Sequence, residues 1–503
     1  MSLLDLSSMQ NVNNIDTDVC IVGAGPAGIS LALSLDEAGV RTVLLESGGI
    51  EPDSTIQSLN EMNSIGRPYS GSATRRRQFG GNSNCWSGWC RPLDPIEFKP
   101  RDYINGSGWP IDYQEYARYL SRAHVLCELG PLDYNFSNWQ KKIFGQADNY
   151  PQVKSSVLES GVFQHSPPTL FGRKYRDKLE ASRSCTVVLH ATATATNLSG
   201  RVLESMKARS INGKTLAIKA NYFVLACGGI ENARLLLTLN GVGRPGLGNE
   251  YDQVGRYFTD HLILHDYMSI YPLSRHLRPY VDKVSTRGRV PHAITPWLRM
   301  KDEMQKKHKV INSTVRLNRP VPAEVNSVTK NTIWPKLFGF ESGDNIVIPE
   351  MENMAPVMIF DVLPNPDSRI TIGRAKDAFG VQRGVINWQI MDRDLEYIWK
   401  LARIYSGEYM RLGYARTSPL LLSEDRVLRE SDYYIGYHHY GTTRMSHDPQ
   451  YGVVDINCRV HSLDNLYIAG SSVFPTPGAS TPTLSIVALV LRLGDHLKTR
   501  MAE

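Results

Sequence analysis

The sequence predicts an α/β protein with two architectures in one chain: a parallel sheet built from strand–turn–helix units, and a second region built on an antiparallel sheet flanked by helices. Three observations carry this expectation. Residues 17–47, TDVCIVGAGPAGISLALSLDEAGVRTVLLES, read as strand, glycine turn, helix and strand. Two later stretches, 222–229 and 465–472, again deliver a short apolar strand to a glycine. Between residues 261 and 430 the character changes to isolated strand-like runs, many prolines and one long helical pattern.

In the first unit, 19–22 is an apolar, mostly β-branched strand, 23–28 (GAGPAG) the turn, 29–38 a helix and 42–45 a second buried strand. The glycines have separate reasons. Gly23 makes the tight turn, Gly25 lets the backbone approach a pyrophosphate, and Gly28 lets helix and strand pack closely. The free N–H groups of the helix N-terminus suit phosphate, and Glu46 at the end of the second strand suits the adenosine ribose hydroxyls. Strand, motif, helix and acidic residue agree, which points to a bound dinucleotide.

Residues 48–77 are polar and read as loop with room for one short helix. The stretch 70–98, SGSATRRRQFGGNSNCWSGWCRPLDPIEF, sets Gly, Asn and Ser beside Trp86 and Trp89, a backbone suited to pass close to something flat. A helix is expected over 113–126. Strand patterns return at 187–199, 216–218 and 222–226, the last followed by Cys227-Gly228-Gly229 and a helix over 231–239. In the middle region strands are expected at 355–362, 369–372 and 384–389, and a helix over 392–412. A last strand, 465–469, ends in Gly470-Ser471-Ser472, and Thr481 and Pro482 read as N-cap and first residue of a terminal helix.

Composition narrows the function. A chain of 503 residues exceeds one ordinary core, so two domains or one elaborated domain are expected. Its 42% hydrophobic and 21% charged residues fit a soluble globular protein, and a net charge of +6 is too mild at this size to argue for nucleic acid. Much of the basic excess lies between 275 and 336, including Arg287, Arg289, Arg299, Lys301 and Arg319, and reads as a solvated surface segment. The seven cysteines are scattered without metal-ligand spacing, which suggests a reducing compartment and no metal, haem or iron–sulfur centre. The first 16 residues lack a signal-peptide profile and no apolar run approaches a membrane span, so a cytoplasmic location and no membrane partner are expected.

Seven ordered blocks together resemble the glucose-methanol-choline (GMC) flavin oxidoreductases, in particular the bacterial branch similar to pyranose and glycoside oxidases and sugar dehydrogenases. They are GAGPAG at Gly23, RRQFGGNSNCWSG at Arg76, SGWP at Ser107, LACGGIENARLL at Leu225, VGRYFTDH at Val254, HHYGTTRM at His438 and NLYIAGSSVFPTPGASTPTLSIVAL at Asn465. The resemblance implies a Rossmann-like FAD-binding domain over 1–260 with a flavin-covering loop and helical insertions. It further implies a mainly substrate-binding domain over 261–430 and a return to the FAD-binding domain over 431–503. FAD contacts are implied for Gly23, Gly25, Pro26, Ala27, Gly28 and Glu46, and for Arg77, Gly80, Gly81, Asn84, Cys85, Trp86 and Ser87. Ala226, Gly228, Gly470, Ser471, Thr481, Pro482 and Thr483 complete the set.

In that family a histidine three residues before a Gly-Thr pair takes the substrate hydroxyl proton while hydride passes to flavin N5. Gly441-Thr442 selects His438, with His439 as its neighbour. Imidazole also has the pKa for a base near neutrality. The family's partner residue, a histidine or asparagine, corresponds to Thr481 here, and the histidine that links covalently to flavin in some members corresponds to Cys85. Non-covalent FAD is therefore expected. The implied reaction is oxidation of an alcohol, on a sugar, glycoside or sugar-like metabolite, with O2 or a quinone-like molecule as acceptor. A non-redox flavoprotein similar to hydroxynitrile lyases and a quinone-linked dehydrogenase of a non-sugar alcohol stay open as alternatives. An NAD-dependent dehydrogenase leaves the blocks at Leu225 and Asn465 unexplained.

Overall fold

The computed structural model describes residues 3–9, 14–144, 151–239, 246–265, 267–281, 293–318, 354–419 and 432–503. Part of the basic stretch, including Arg287, Arg289 and Arg319, lies outside the described residues. No helix among the described residues is long and apolar enough to cross a membrane.

The first sheet is centred on the strand Asn14–Val22. Val19, Cys20, Ile21 and Val22 are buried in succession, so both faces of this strand are covered, and its sequence is a continuous apolar run rather than an alternation. It pairs in parallel with Thr42–Leu45 on one side and Thr215–Leu225 on the other. Cys185–Leu189 and then Leu3–Asp5 follow beyond Thr42–Leu45, also parallel. Leu466–Ile468 joins the end of Thr215–Leu225 in parallel, while Val202–Arg209 and Thr192–Ser199 extend the sheet antiparallel. The helix Pro26–Asp36 packs on the terminal helix Thr483–Ala502. Gly494 permits the close approach, since a Cβ there would lie 3.0 Å from Ser34 Oγ.

The second sheet is antiparallel, in the order Tyr433–Ile435, Leu262–Leu264, Ala355–Phe360, Ser313–Asn318, Ile294–Met300, Leu158–His165, Trp89–Cys90. The helix Asp392–Arg411 buries Tyr397, Leu401, Tyr405 and Tyr409, residues four apart on one face. Tyr405 Oη meets Ser313 Oγ at 3.2 Å and ties that helix to the sheet. This sheet draws on all three segments separated at residues 260 and 430, because strand pairing follows adjacency in space rather than in sequence.

Several local expectations change. Residues 216–218 and 222–226 belong to the one strand Thr215–Leu225, and 113–126 forms two short helices, Tyr113–Ala117 and Leu120–Leu126. The polar stretch 48–77 holds the helix Ser54–Gln57, capped by Asp53, and the strand Asn63–Gly66, which pairs with Gln382–Trp388. The helix expected over 29–38 runs Pro26–Asp36.

Candidate active site

The parallel strands end at Val22, Leu45, Leu225 and Ile468, and residues at those ends, Gly23, Glu46 and Ala226 next in the chain and Gly470 two on, border one cavity of about 380 Å³. Ligands of open parallel sheets bind at this edge. Gly23 holds a left-handed backbone, φ +102°, and a Cβ there would press on the Ala226 carbonyl oxygen at 2.7 Å. No side chain caps the N-terminus of the helix Pro26–Asp36, so its first N–H groups stay free. Both Glu46 oxygens are fixed, Oε2 by the Ala24 N–H at 2.9 Å and Oε1 by the Gly48 N–H at 2.9 Å. Burial raises the Glu46 pKa, and those two N–H groups oppose the rise.

Most residues expected to contact the cofactor line this cavity: Gly23, Gly25, Pro26, Ala27, Glu46, Arg77, Gly81, Cys85, Trp86, Ser87, Ala226, Gly228, Gly470, Ser471, Thr481, Pro482 and Thr483. Gly28, Gly80 and Asn84 do not line it. Gly28 sits where a Cβ would overlap the Gly23 carbonyl oxygen, so its part is helix–turn packing. Gly80, at φ +97°, donates its N–H to Ala24 O at 2.8 Å, and Asn84 Nδ2 donates to Phe79 O at 3.0 Å. These two brace the turn that carries Gly81 rather than facing the cavity.

A charge cluster on the cavity wall was not evident from the sequence. Buried Glu231 pairs with Arg75 (2.9 Å), Arg77 (2.7 Å) and Arg234 (2.8 Å). Burial alone would raise its pKa, yet Arg77, Arg234 and Arg75 together hold it well below the usual carboxylate range. Arg77 also donates to Asn60 Oδ1 at 2.8 Å. The run of three arginines before FGG was the available signal, but its partner lies more than 150 residues away.

His438 and His439, more than 400 residues on from the glycine turn, also border the cavity. His438 is half-buried; its main-chain N–H donates to Asp260 Oδ1 at 2.8 Å, and its Nδ1 lies 3.0 Å from Nδ1 of fully buried His261. His261 Nε2 lies 2.7 Å from the Gly478 carbonyl oxygen. Desolvation, then the neighbouring His261, push the His438 pKa well down, and desolvation lowers His261 to about 4. Asp260 also accepts the Tyr69 hydroxyl at 2.5 Å, and burial raises it to about 7. His439 packs edge-on to Tyr69 at 5.8 Å, and its buried Nε2 has no hydrogen-bond partner among the described residues.

Thr481 is not the N-cap of the terminal helix. The helix starts at Thr483 with Pro482 in the cap position, so the Thr481 hydroxyl lies one residue too early and donates to Trp89 O at 2.6 Å instead. Cys85 Sγ points to Asn82 O at 3.4 Å, and desolvation raises its thiol pKa.

Residues 364–489 match the family model described as GMC oxidoreductase, and residues 16–51 that described as FAD binding domain. The chain thus carries a GMC oxidoreductase domain over residues 364–489. The protein is an FAD-dependent oxidoreductase acting on CH–OH groups. It is 24% identical to 6'''-hydroxyparomomycin C oxidase of Streptomyces lividus, over 96% of this chain and 92% of that protein. It is 24% identical to paromamine 6'-oxidase of Streptomyces fradiae, over 94% and 90%. In fold it is similar to pyridoxine 4-oxidase from Mesorbium loti, with a TM-score of 0.55 and 16% identity, over 95% of this chain and 99% of that one.

The residues present fit FAD. A Cβ on Gly25 would meet nothing nearer than Gly81 Cα at 3.9 Å, and on Gly228 nothing within 4 Å, so both glycines leave open the space a cofactor takes up. Thr192 Oγ1 lines the cavity, is buried, and lacks a hydrogen-bond partner among the described residues. It stands beside Glu46, whose carbonyl oxygen accepts the Ala191 N–H at 2.8 Å.

Proposed function

We propose that this oxidoreductase oxidises an alcohol on a sugar, glycoside or sugar-like molecule to the carbonyl, with His438 as the base. The observation that carries the reading is that His438 borders the same cavity as the glycine turn at Gly25 and residues 481–483 of the terminal segment. The sugar class is supported by the two relatives named for oxidising 6'''-hydroxyparomomycin C and paromamine.

FAD, when bound, accepts the hydride that leaves the carbinol carbon. The chain's own part is to remove the hydroxyl proton and to hold the site ready. Burial keeps the His438 imidazole neutral, so a ring lone pair is available to take that proton as charge builds on the substrate oxygen. Asp260 fixes the His438 main chain by accepting its N–H. The terminal helix has no side-chain cap, so its partial positive charge stabilises negative charge that develops beside residues 481–483. The raised Cys85 pKa keeps that thiol protonated and favours non-covalent FAD.

The test is an anaerobic absorbance titration of the yellow protein against sugars, glycosides, amino sugars and simple alcohols, followed by air. Bleaching by a sugar-type alcohol supports the reading; recovery in air with peroxide release makes O2 the acceptor, and bleaching without recovery points to a quinone-like one. Bleaching only by simple alcohols overturns the substrate class. A protein that no alcohol bleaches overturns the redox reading in favour of a lyase-like flavoprotein.

A further inference from the structure

We infer that His261 is a positioning residue that fixes the tautomer of His438 and so leaves Nε2 of His438 as the basic atom. The inference rests on the reading of His438 as base. It follows from hydrogen-bond roles taken one at a time. A carbonyl oxygen only accepts, so His261 Nε2, at 2.7 Å from Gly478 O, carries a proton. A neutral His261 ring then has its lone pair on Nδ1. Facing it at 3.0 Å is Nδ1 of His438, and two lone pairs at that distance would repel. His438 Nδ1 therefore carries the proton and donates to His261 Nδ1, which leaves the free lone pair on His438 Nε2.

Both rings are neutral, because burial disfavours an added charge on either. Titratable groups packed round the pair include Asp260, itself bonded to Tyr69 Oη, Asp361 on the Gly478 N–H, His439, and Tyr440, whose ring lies 5.2 Å from that of His261. The two imidazole planes cross at 89°, which lets the Nδ1 atoms meet in a hydrogen bond instead of stacking.

The scaffold around the pair is built to hold this arrangement. Gly478 is anchored by its own N–H, which donates to Asp361 Oδ1 at 3.1 Å. The main-chain oxygen of His261 accepts the Gly436 N–H at 3.0 Å, and Asp260 Oδ1 accepts the His438 N–H at 2.8 Å. Two adjacent residues, Asp260 and His261, thus hold the main chain and the ring of His438. When His438 Nε2 gains the substrate proton, its Nδ1–H becomes a charged donor to a neutral acceptor, a shorter and stronger bond. The arrangement serves the purpose of the orienting carboxylate in a serine-protease triad, where a wrong imidazole tautomer costs about 10⁴-fold in kcat, but with an uncharged acceptor.

The experiment is long-range ¹H–¹⁵N NMR of the ¹⁵N-histidine-labelled holoenzyme in its oxidised, diamagnetic state, which reads each ring's tautomer directly. His438→Gln and His261→Asn assign the signals. The expected result is Nδ1–H for His438 and Nε2–H for His261. His261→Phe removes the acceptor; His438 should revert to Nε2–H and anaerobic flavin reduction should slow by about 10²-fold or more. In His261→Asn, Oδ1 takes the place of histidine Nδ1, and both the tautomer and most of the rate should return. An Nε2–H His438 in the wild-type holoenzyme overturns the inference, as does an unchanged tautomer in His261→Phe. If His261→Phe does not fold, the wild-type and His261→Asn spectra still decide. Normal flavin reduction in His438→Gln would sink the base reading alone, while leaving the tautomer assignment intact.

Discussion

The Thr481 hydroxyl donates to the Trp89 carbonyl oxygen at 2.6 Å, and that commits its only proton to the main chain. Thr481 can still accept a hydrogen bond, but it cannot also donate one to a substrate oxygen while this bond stands. Thr481→Val should cost about 1 kcal/mol of stability through the lost bond. Anaerobic flavin reduction should slow by less than about tenfold, roughly 1.4 kcal/mol in the barrier. A far larger loss of rate with an unchanged Tm would put the Thr481 hydroxyl in the chemistry.

Two glycines of the first turn separate cofactor binding from folding. Gly25 has open space where its Cβ would be, whereas a Cβ on Gly28 would overlap the Gly23 carbonyl. Gly25→Val should yield a folded protein without flavin. Gly28→Ala should instead lower Tm and yield. The ratio of flavin to protein absorbance, read beside a thermal melt, checks both, and a fully flavinated Gly25→Val would count against pyrophosphate at that glycine.

Glu231→Gln leaves Arg75, Arg77 and Arg234 without their shared carboxylate in a buried setting. Removing one partner of a buried ion pair costs about 3–5 kcal/mol. Because the folded-state pKa is depressed, the contribution is complete above about pH 4.5, the ordinary glutamate range, and is lost only at stronger acidity. The difference between wild type and variant should therefore be flat from neutral to mildly acidic pH. Denaturant titrations at several pH values measure it, and a difference that grows between neutral and mildly acidic pH would contradict the pairing.

The histidines and Asp260 give stability a pH dependence of two opposite senses. His261 is lowered to about 4 and His439 to about 3 by burial. Their contribution is complete above about pH 6.5, where the unfolded chain is also neutral, and drains away as pH falls toward 4. Asp260, raised to about 7 by burial, contributes fully below about pH 4 and loses that contribution as pH rises through 7. His439→Phe should lessen the loss of Tm as pH falls from about 6.5 toward 3, and Asp260→Asn the loss as pH rises from about 4 to 7, two effects of opposite sign that overlap between about pH 4 and 6.5. A curve that neither variant alters would mean that these groups do not titrate differently on folding.

The first βαβ unit was legible because each signal in it is local. Val19–Val22, Gly23, Gly25 and Glu46 fall within one short segment, and the strand Thr42–Leu45 has the bounds expected of it. The second sheet was far less legible. Ile294–Met300 is buried at every position and includes Pro296 and Thr295, so it shows neither alternation nor an apolar run. Thr481 was misread because proline at the first helical position is the commoner arrangement, and here Pro482 is itself the cap. The role of His261 was invisible for another reason. Its partners, His438 and the Gly478 carbonyl, lie 177 and 217 residues away, and a main-chain oxygen leaves no mark in a sequence.

The parallel pairing of Leu466–Ile468 with Phe223–Leu225 also makes completion of the cavity depend on a contact between residues more than 240 apart in the chain. Until residues 466–502 have joined the fold, the edge of Thr215–Leu225 at the cavity is unpaired and the face of Pro26–Asp36 that meets Thr483–Ala502 is bare. The walls at Gly470 and residues 481–483 are missing until then. The cavity is therefore complete only once Leu466–Ile468 has paired and the terminal helix has docked, and a partly folded chain exposes that strand edge and helix face.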